Sequence, residues 1–378
     1  MRKIFHTGNL TILVMVLGVL VLNSCKKEYT ITVKSNNEAW GSVTGSGTYT
    51  KGKVISIEAI AKNNYRFLSW QDGSTDNPRS ITVRSDAMYI AKFVKIGGGG
   101  EQPTDMGIFS VSSTRKVHFS PGNLQWSATN GGNTPTTHIV AGNGTADGTW
   151  RFAPNQWDMI GINNSNVSST YTGWIDLFGW CTSGYNNKYP YMTSTIHTDY
   201  GNGSNNAVGT NYDWGVYNAI YNPKTQKTDA PSTWRTLTNE EWEYLINTRP
   251  TSSSVRYAKA TVHGIVGLII VPDDYNSTLY PLNSVNTESA AYTSNIIDAS
   301  DWSKMENIGC VFLPAAGSRD ETTVNDVASY GNYWSITYYT IEGAHYLNFN
   351  IGNLYPSGFY YTRNRIYGHS VRLVKDVQ

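Results

Sequence analysis

Four consecutive glycines at residues 97–100, followed by Glu101, Gln102, Pro103, Thr104 and Asp105, exclude a regular element there and cut the chain in two. Residues 96–105 therefore read as a flexible linker. The chain has to fold as at least two bodies, residues 26–95 before the linker and 106–378 after it. With 378 residues in all, both are long enough to bury a core.

The first body alternates apolar and polar residues in short runs. Tyr29 to Val33, Lys53 to Ile60, Tyr65 to Trp70, Ser80 to Val83 and Tyr89 to Phe93 predict strands with one buried face. A turn-rich step at Gly41–Gly47 and an Asp72-Gly73 turn separate them. The pattern of Gly41-Ser-Val, then Tyr65-Arg-Phe-Leu-Ser-Trp70, Asp72-Gly73 and Ala91-Lys-Phe93 resembles the divergent bacterial surface repeat of the internalin B-repeat type. That resemblance implies a spacer.

Ahead of it, Arg2 and Lys3 precede an apolar run from Leu10 to Leu22, which ends in Leu22-Asn23-Ser24-Cys25. A charged start and a short apolar run are the marks of a secretory signal, residues 1–25, and the run is short for a membrane-spanning helix. Cysteine after Leu-x-Ser resembles the lipobox of bacterial lipoproteins. The resemblance implies acylation at Cys25 and a chain held on a membrane by lipid, at the outer membrane or cell surface. Of the 3 cysteines, Cys181 and Cys310 then remain, as a disulfide or as two separate buried thiols.

The second body predicts an α+β fold with few helices and long loops. Lys116 to Phe119, Leu124 to Trp126, His263 to Val271 and Cys310 to Leu313 predict strands, the last two buried. One helix has a clear start. Thr238 and Glu241 form a capping box, Leu237 and Trp242 the matching staple, and Arg249-Pro250 the end. A second short helix is expected over residues 300–307. Aromatic islands at Trp150, Trp157, Trp174, Trp180 and Trp214 stand in long stretches of Asn, Gly, Ser and Thr, where they would pin the loops.

The last fifty residues mix two kinds of position. Tyr333-Trp334-Ser335, Leu347, Phe349, Gly368 and Ser370 to Val374 read as framework. Tyr338, Tyr339, Ile341, Glu342, His345, Ile351, Tyr355, Phe359, Tyr360, Tyr361, Asn364, Ile366, Tyr367 and His369 read as interchangeable and surface-directed. Tyrosine offers a large, stiff contact area with a polar tip, which suits a binding face. With 26 Tyr and 12 Trp in the chain, an aromatic core is the competing account of the same residues.

Trp234-Arg-Thr-Leu-Thr238 opening the helix with Glu241-Trp242, then Val262-His-Gly264, Val311 to Arg319, Gly331-Asn-Tyr-Trp-Ser335 and Gly368-His-Ser-Val-Arg-Leu-Val374 together resemble the C-type-lectin-like fold. The resemblance is narrower to its formylglycine-generating-enzyme-like branch and to related surface proteins of Bacteroidetes. That branch includes the variable proteins of diversity-generating retroelements, in which the segment between Tyr-Trp-Ser and Gly-x-Ser-Val-Arg is diversified to form a ligand-binding face. The resemblance implies a surface protein that binds a protein or glycan ligand on another cell, a phage or a host surface. Carbohydrate binding and a divergent formylglycine-generating activity are the alternatives.

The residues weigh against catalysis. The formylglycine chemistry needs a pair of thiols, and only Cys310 is near. No Cys/His cluster with zinc spacing, nucleophile elbow or phosphate loop is present, so neither a metal nor a cofactor is expected. Asp273-Asp274 reads as a solvated turn. Net charge is +1 with charged residues at 15%, which argues against a nucleic-acid partner.

Overall fold

The structure is a computed structural model and describes residues 27–62, 65–72, 74, 76–95, 106–129, 148–278, 280–358 and 364–377. The chain divides into two compact units, residues 1–95 and 96–378.

In the first unit, every predicted strand forms. A four-stranded sheet runs Gly47–Thr50, Glu28–Ser35, Ala87–Lys95, Tyr65–Trp70, and a three-stranded one Gly41–Thr44, Val54–Ala61, Arg79–Thr82. Period-two patterning explains the core between them. Ile55, Ile57 and Ala59 point inward from one strand, while Val54, Ser56, Glu58 and Ile60 face out. Ile31, Val33, Trp70, Ala91 and Phe93 complete the same cluster from the facing sheet. Trp70 is fully buried, and its indole N–H donates to Asp76 O at 2.8 Å, so no buried donor is wasted. The turn-rich step holds two of the short strands. Its Gly41 lies under the Phe93 ring, where an added Cβ would come within 2.5 Å of ring carbons.

The second unit is mostly β-sheet, in several small sheets with few helices. Its organising strand is Gly331–Tyr338, antiparallel to Ala344–Phe349, which pairs in turn with Leu354–Gly358. The sheet is buried on both faces. Tyr333, Leu347, Phe349 and Leu354 join one core, and Trp334, Ile336, Ala344 and Tyr346 another. Over Tyr346 to Asn350, Leu347 and Phe349 face the first core and Tyr346 the second, while Asn348 between them is partly exposed. Gly331 makes room for the Phe349 ring, which would lie 2.0 Å from an added Cβ.

The predicted helix packs on this sheet. Its α-helical part, Asn239–Glu243, starts with the full capping box and continues as a π-turn, Tyr244–Thr248, up to Arg249. Leu237, Trp242, Leu245 and Ile246 are buried in the first core. Ile336 N donates to Leu237 O at 3.0 Å and Asn239 N to Thr337 Oγ1 at 3.0 Å, tying helix start to strand. The second helix forms as Ala299–Asn307.

Two expectations need correction. The run from His263 is not one strand: His263 and Gly264, both left-handed (φ 51° and 80°), turn the chain between Tyr257–Val262 and Ile265–Ile270. Asp273 is no solvated turn. Its carboxylate pairs with the fully buried Arg249 at 2.8 Å and accepts from Ser110 N and Oγ. The fully buried Lys259 ammonium donates to the carbonyls of Glu288, Asn350 and Asn353, clasping the 350–353 turn.

Trp334 touches Tyr346 and His369, and its indole donates to Phe178 O at 2.6 Å. Trp334→Ala should cost about 3–5 kcal/mol in urea unfolding, whereas Thr238→Ala should cost about 1 kcal/mol. Similar losses for both would mean that the double-sided burial of the strand contributes little.

Candidate functional site

The central sheet ends in a hairpin whose tip, residues 339–343, leaves the buried strands and turns into solvent. The turn is closed by its backbone and one side chain: Thr340 N donates to Gly343 O at 3.0 Å, and Gly343 N returns to Thr340 O at 3.2 Å and to Thr340 Oγ1 at 3.0 Å. Tyr339 and Ile341 are each 44% exposed, and Glu342 is exposed. Tyr339 meets His345 edge-on, with ring centroids 5.0 Å apart, and His345 Nδ1 lies 3.1 Å from Ser357 Oγ. Partial burial holds the His345 imidazole below its ordinary pKa, against the pull of Glu240 and Glu243.

Arg365 braces this tip from inside. Its guanidinium lies between the Trp180 ring at 4.6 Å and the Tyr338 ring at 4.9 Å. It donates to Gly343 O at 3.3 Å and Gly203 O at 3.0 Å, while Arg365 N donates to Glu342 O at 3.3 Å. Tyr338 N donates to Asn206 Oδ1 at 2.7 Å. Exposed side chains therefore stand on a backbone fixed from three directions: the sheet, the 201–206 loop and the 364–366 turn.

The structure gathers Tyr338, Tyr339, Ile341, Glu342 and His345 at this end of the sheet. It does not gather the rest. Ile351, 63% exposed, lies in the turn at the far end of the middle strand, about 17 Å away at ~3.4 Å per residue. Tyr355 is exposed on the edge strand opposite Asn348. Tyr367 is half-buried. Two of the expected outward residues are interior: Ile366 is 6% and His369 4% exposed. His369 sits 4.4 Å from the Trp334 ring and 4.9 Å from Tyr346, and bridges to Phe178 through its backbone. Phe359, Tyr360, Tyr361 and Cys25 lie outside the described residues, as does the side chain of Asn364.

Arg365, Gly203 and Asn206 carry no periodic or motif signal in the sequence. Cys181 and Cys310 are free and buried in different clusters, and burial pushes both thiols up. Among the described residues no group of three or more His, Cys, Asp or Glu is placed to hold a metal ion. No helix among them is long and apolar enough to cross a membrane.

The strands and core of the first unit bear on one comparison. Residues 31–97 match the family model of the divergent InlB B-repeat domain. The repeat accounts for Ile31, Val33, Trp70 and Phe93, its main core residues. No curated protein matches the chain, and no solved structure does.

Burial sets a pH dependence. His369 is held neutral, its pKa pushed down to about 3 by desolvation. Below the ordinary imidazole value of about 6.5 the unfolded chain takes up a proton that the folded chain refuses. Stability is therefore lost as pH falls from there towards 3, at up to about 1.4 kcal/mol per pH unit. Buried Asp176 and Asp213, both raised to about 6, act in the opposite sense, gaining stability as pH falls from 6 towards their unfolded values. His369→Phe leaves those two in place. Urea melts of the variant from pH 7 to 4 should lose less stability than wild type, and parallel curves would contradict the assignment.

Proposed function

We propose that this chain is a lipid-anchored surface protein that binds a protein or cell-surface ligand through the hairpin tip of its C-terminal unit. In this reading Cys25 carries the lipid, the B-repeat is the spacer, and the C-terminal unit is a C-type-lectin-like scaffold of the formylglycine-generating-enzyme-like branch. The observation that carries it is the contrast across a few residues. Trp334, Ile336 and Tyr346 are buried, while Tyr339, Ile341 and Glu342 of the same hairpin are exposed. An aromatic, an aliphatic and a carboxylate on a braced turn make a contact surface whose shape is set before binding, which lowers the ordering cost. Diversification of this segment by a retroelement would suit such a tip, because its side chains can change without disturbing the cores. A catalytic reading finds less support, since both thiols are buried and displaced from the thiolate state that nucleophilic chemistry needs.

The labelled full chain should bind a subset of bacterial or host cells in a surface panel, and Tyr339→Ala/Ile341→Ala/Glu342→Ala should weaken that binding at least about tenfold. The melting temperature should move by only a few degrees, as for surface substitutions. Undiminished binding by the triple variant would remove the tip from the ligand face. Palmitate labelling in the native host should disappear in Cys25→Ser, and label persisting there would exclude the anchor.

A further inference from the structure

We propose that Asn202-Gly203 is a modification site, where spontaneous deamidation alters the loop that braces the hairpin tip and loosens the tip. Asn202 is half-buried and Gly203 exposed, so water reaches both. Asn130-Gly131 and Asn143-Gly144 are further Asn-Gly pairs, outside the described residues. The reaction needs no partner but water. Gly203 N attacks the Asn202 side-chain carbonyl carbon, a C–N bond forms, and the bond from that carbon to Nδ2 breaks. Nδ2 leaves as ammonia, with the proton that Gly203 N gives up. One water molecule then opens the five-membered succinimide at either carbonyl, giving aspartate or isoaspartate, with no change of oxidation state.

The local structure leaves this pair open to the attack. Glycine has no Cβ to crowd the ring, and even a Cβ added at Gly203 would meet nothing within 4 Å. Gly203 N donates to no group among the described residues, so no acceptor holds its proton. The Asn202 carboxamide is held by a single bond, from Nδ2 to Asn206 O at 3.2 Å. Asn164, followed by Ser165, shows the contrasting case. It is fully buried, Nδ2 donates to Gly161 O at 3.0 Å and Asp176 Oδ1 at 2.8 Å, and Oδ1 accepts from Asp176 N at 2.9 Å and Leu177 N at 3.2 Å. A carboxamide pinned at both ends cannot turn towards the next backbone nitrogen.

The same loop carries part of the hold on the tip. Gly203 O accepts from Arg365 Nη1 at 3.0 Å, and Asn206 Oδ1 accepts from Tyr338 N at 2.7 Å. Either product has a carboxylate where Asn202 had a carboxamide, so the donor to Asn206 O is gone. Isoaspartate also adds a methylene to the main chain ahead of Gly203, which displaces Gly203 O from the guanidinium. Arg365 has little to replace it with: Nη2 already lacks a partner, and Gly343 O is the other carbonyl its side chain reaches. A buried charge that loses one of its acceptors destabilises what it braces. On the reading that the tip holds the ligand, conversion at Asn202 limits how long that face keeps its shape.

The purified, folded full chain is incubated at mildly alkaline pH, and peptide mapping with isoaspartyl methyltransferase labelling follows each asparagine. Isoaspartate should accumulate at Asn202, faster as pH rises, while Asn164 stays intact. The converted fraction, separated by its added negative charge, should exchange the Tyr338 amide hydrogen at least about tenfold faster than fresh protein. Asn202→Gln and Gly203→Ala should each abolish conversion at this pair. Gly203 is left-handed, so near-ultraviolet circular dichroism checks the alanine variant, and Asn202→Gln carries the control if that fold is disturbed. Asn202 left intact would overturn the proposal, and so would a converted fraction whose Tyr338 exchange is unchanged. Both readouts are taken without ligand, so a failure of the tip as a ligand face is seen in cell binding alone and leaves this result standing.

Discussion

Long loops in the C-terminal unit are held by buried side-chain donors that reach backbone carbonyls. Trp180 Nε1 donates to Ser335 O at 2.9 Å, and Trp334 Nε1 to Phe178 O at 2.6 Å, so two indoles stitch the 178–180 segment to the central strand reciprocally. A carbonyl buried without a partner costs about 1–3 kcal/mol, so each such bond lets a loop be interior that would otherwise have to stay wet. The aromatic ring adds apolar area at the same point.

Arginines extend the same device. Arg319, Arg365 and Arg372 are fully buried, and among the described residues none forms an ion pair. Arg319 donates to the carbonyls of Leu177, Met192 and Glu321, and Arg372 to those of Ser120 and Phe312. Burial lowers both to about 10, still charged at neutral pH. A planar cation with five donors can gather carbonyls from loops far apart in sequence, which no apolar side chain can do. The cost of a buried charge is met by several oriented dipoles in place of one carboxylate.

How much of this was legible follows from periodicity. Lys53 to Ile60 alternates, so Ile55, Ile57 and Ala59 could be assigned inward at sight. Thr238 and Glu241 form a local motif whose partners lie three residues apart, and it forms as read. His369 and Ile366 could not be placed, because they follow an irregular Gly- and Asn-rich stretch where backbone direction, and with it side-chain direction, has no fixed period. Asp273 was misread for a related reason. A carboxylate after a strand resembles a wet turn until its partner Arg249, 24 positions earlier, is known to be buried beside it. Tyr339, Ile341 and Glu342, expected at the surface, are exposed, as the centre of a turn between two buried strands points away from both.

Lys259 draws a longer consequence. An ammonium has three protons, and three carbonyls take them, so the group is saturated and its geometry is that of a tripod. Arginine is planar and methionine has nothing to give, so neither can stand in. The tripod's far feet lie about ninety positions downstream, 91 in the case of Asn350. The shape of the turn that bears Ile351 is thus written in part at position 259, while the side chains on that turn stay free to change, because the feet of the tripod are main-chain carbonyls.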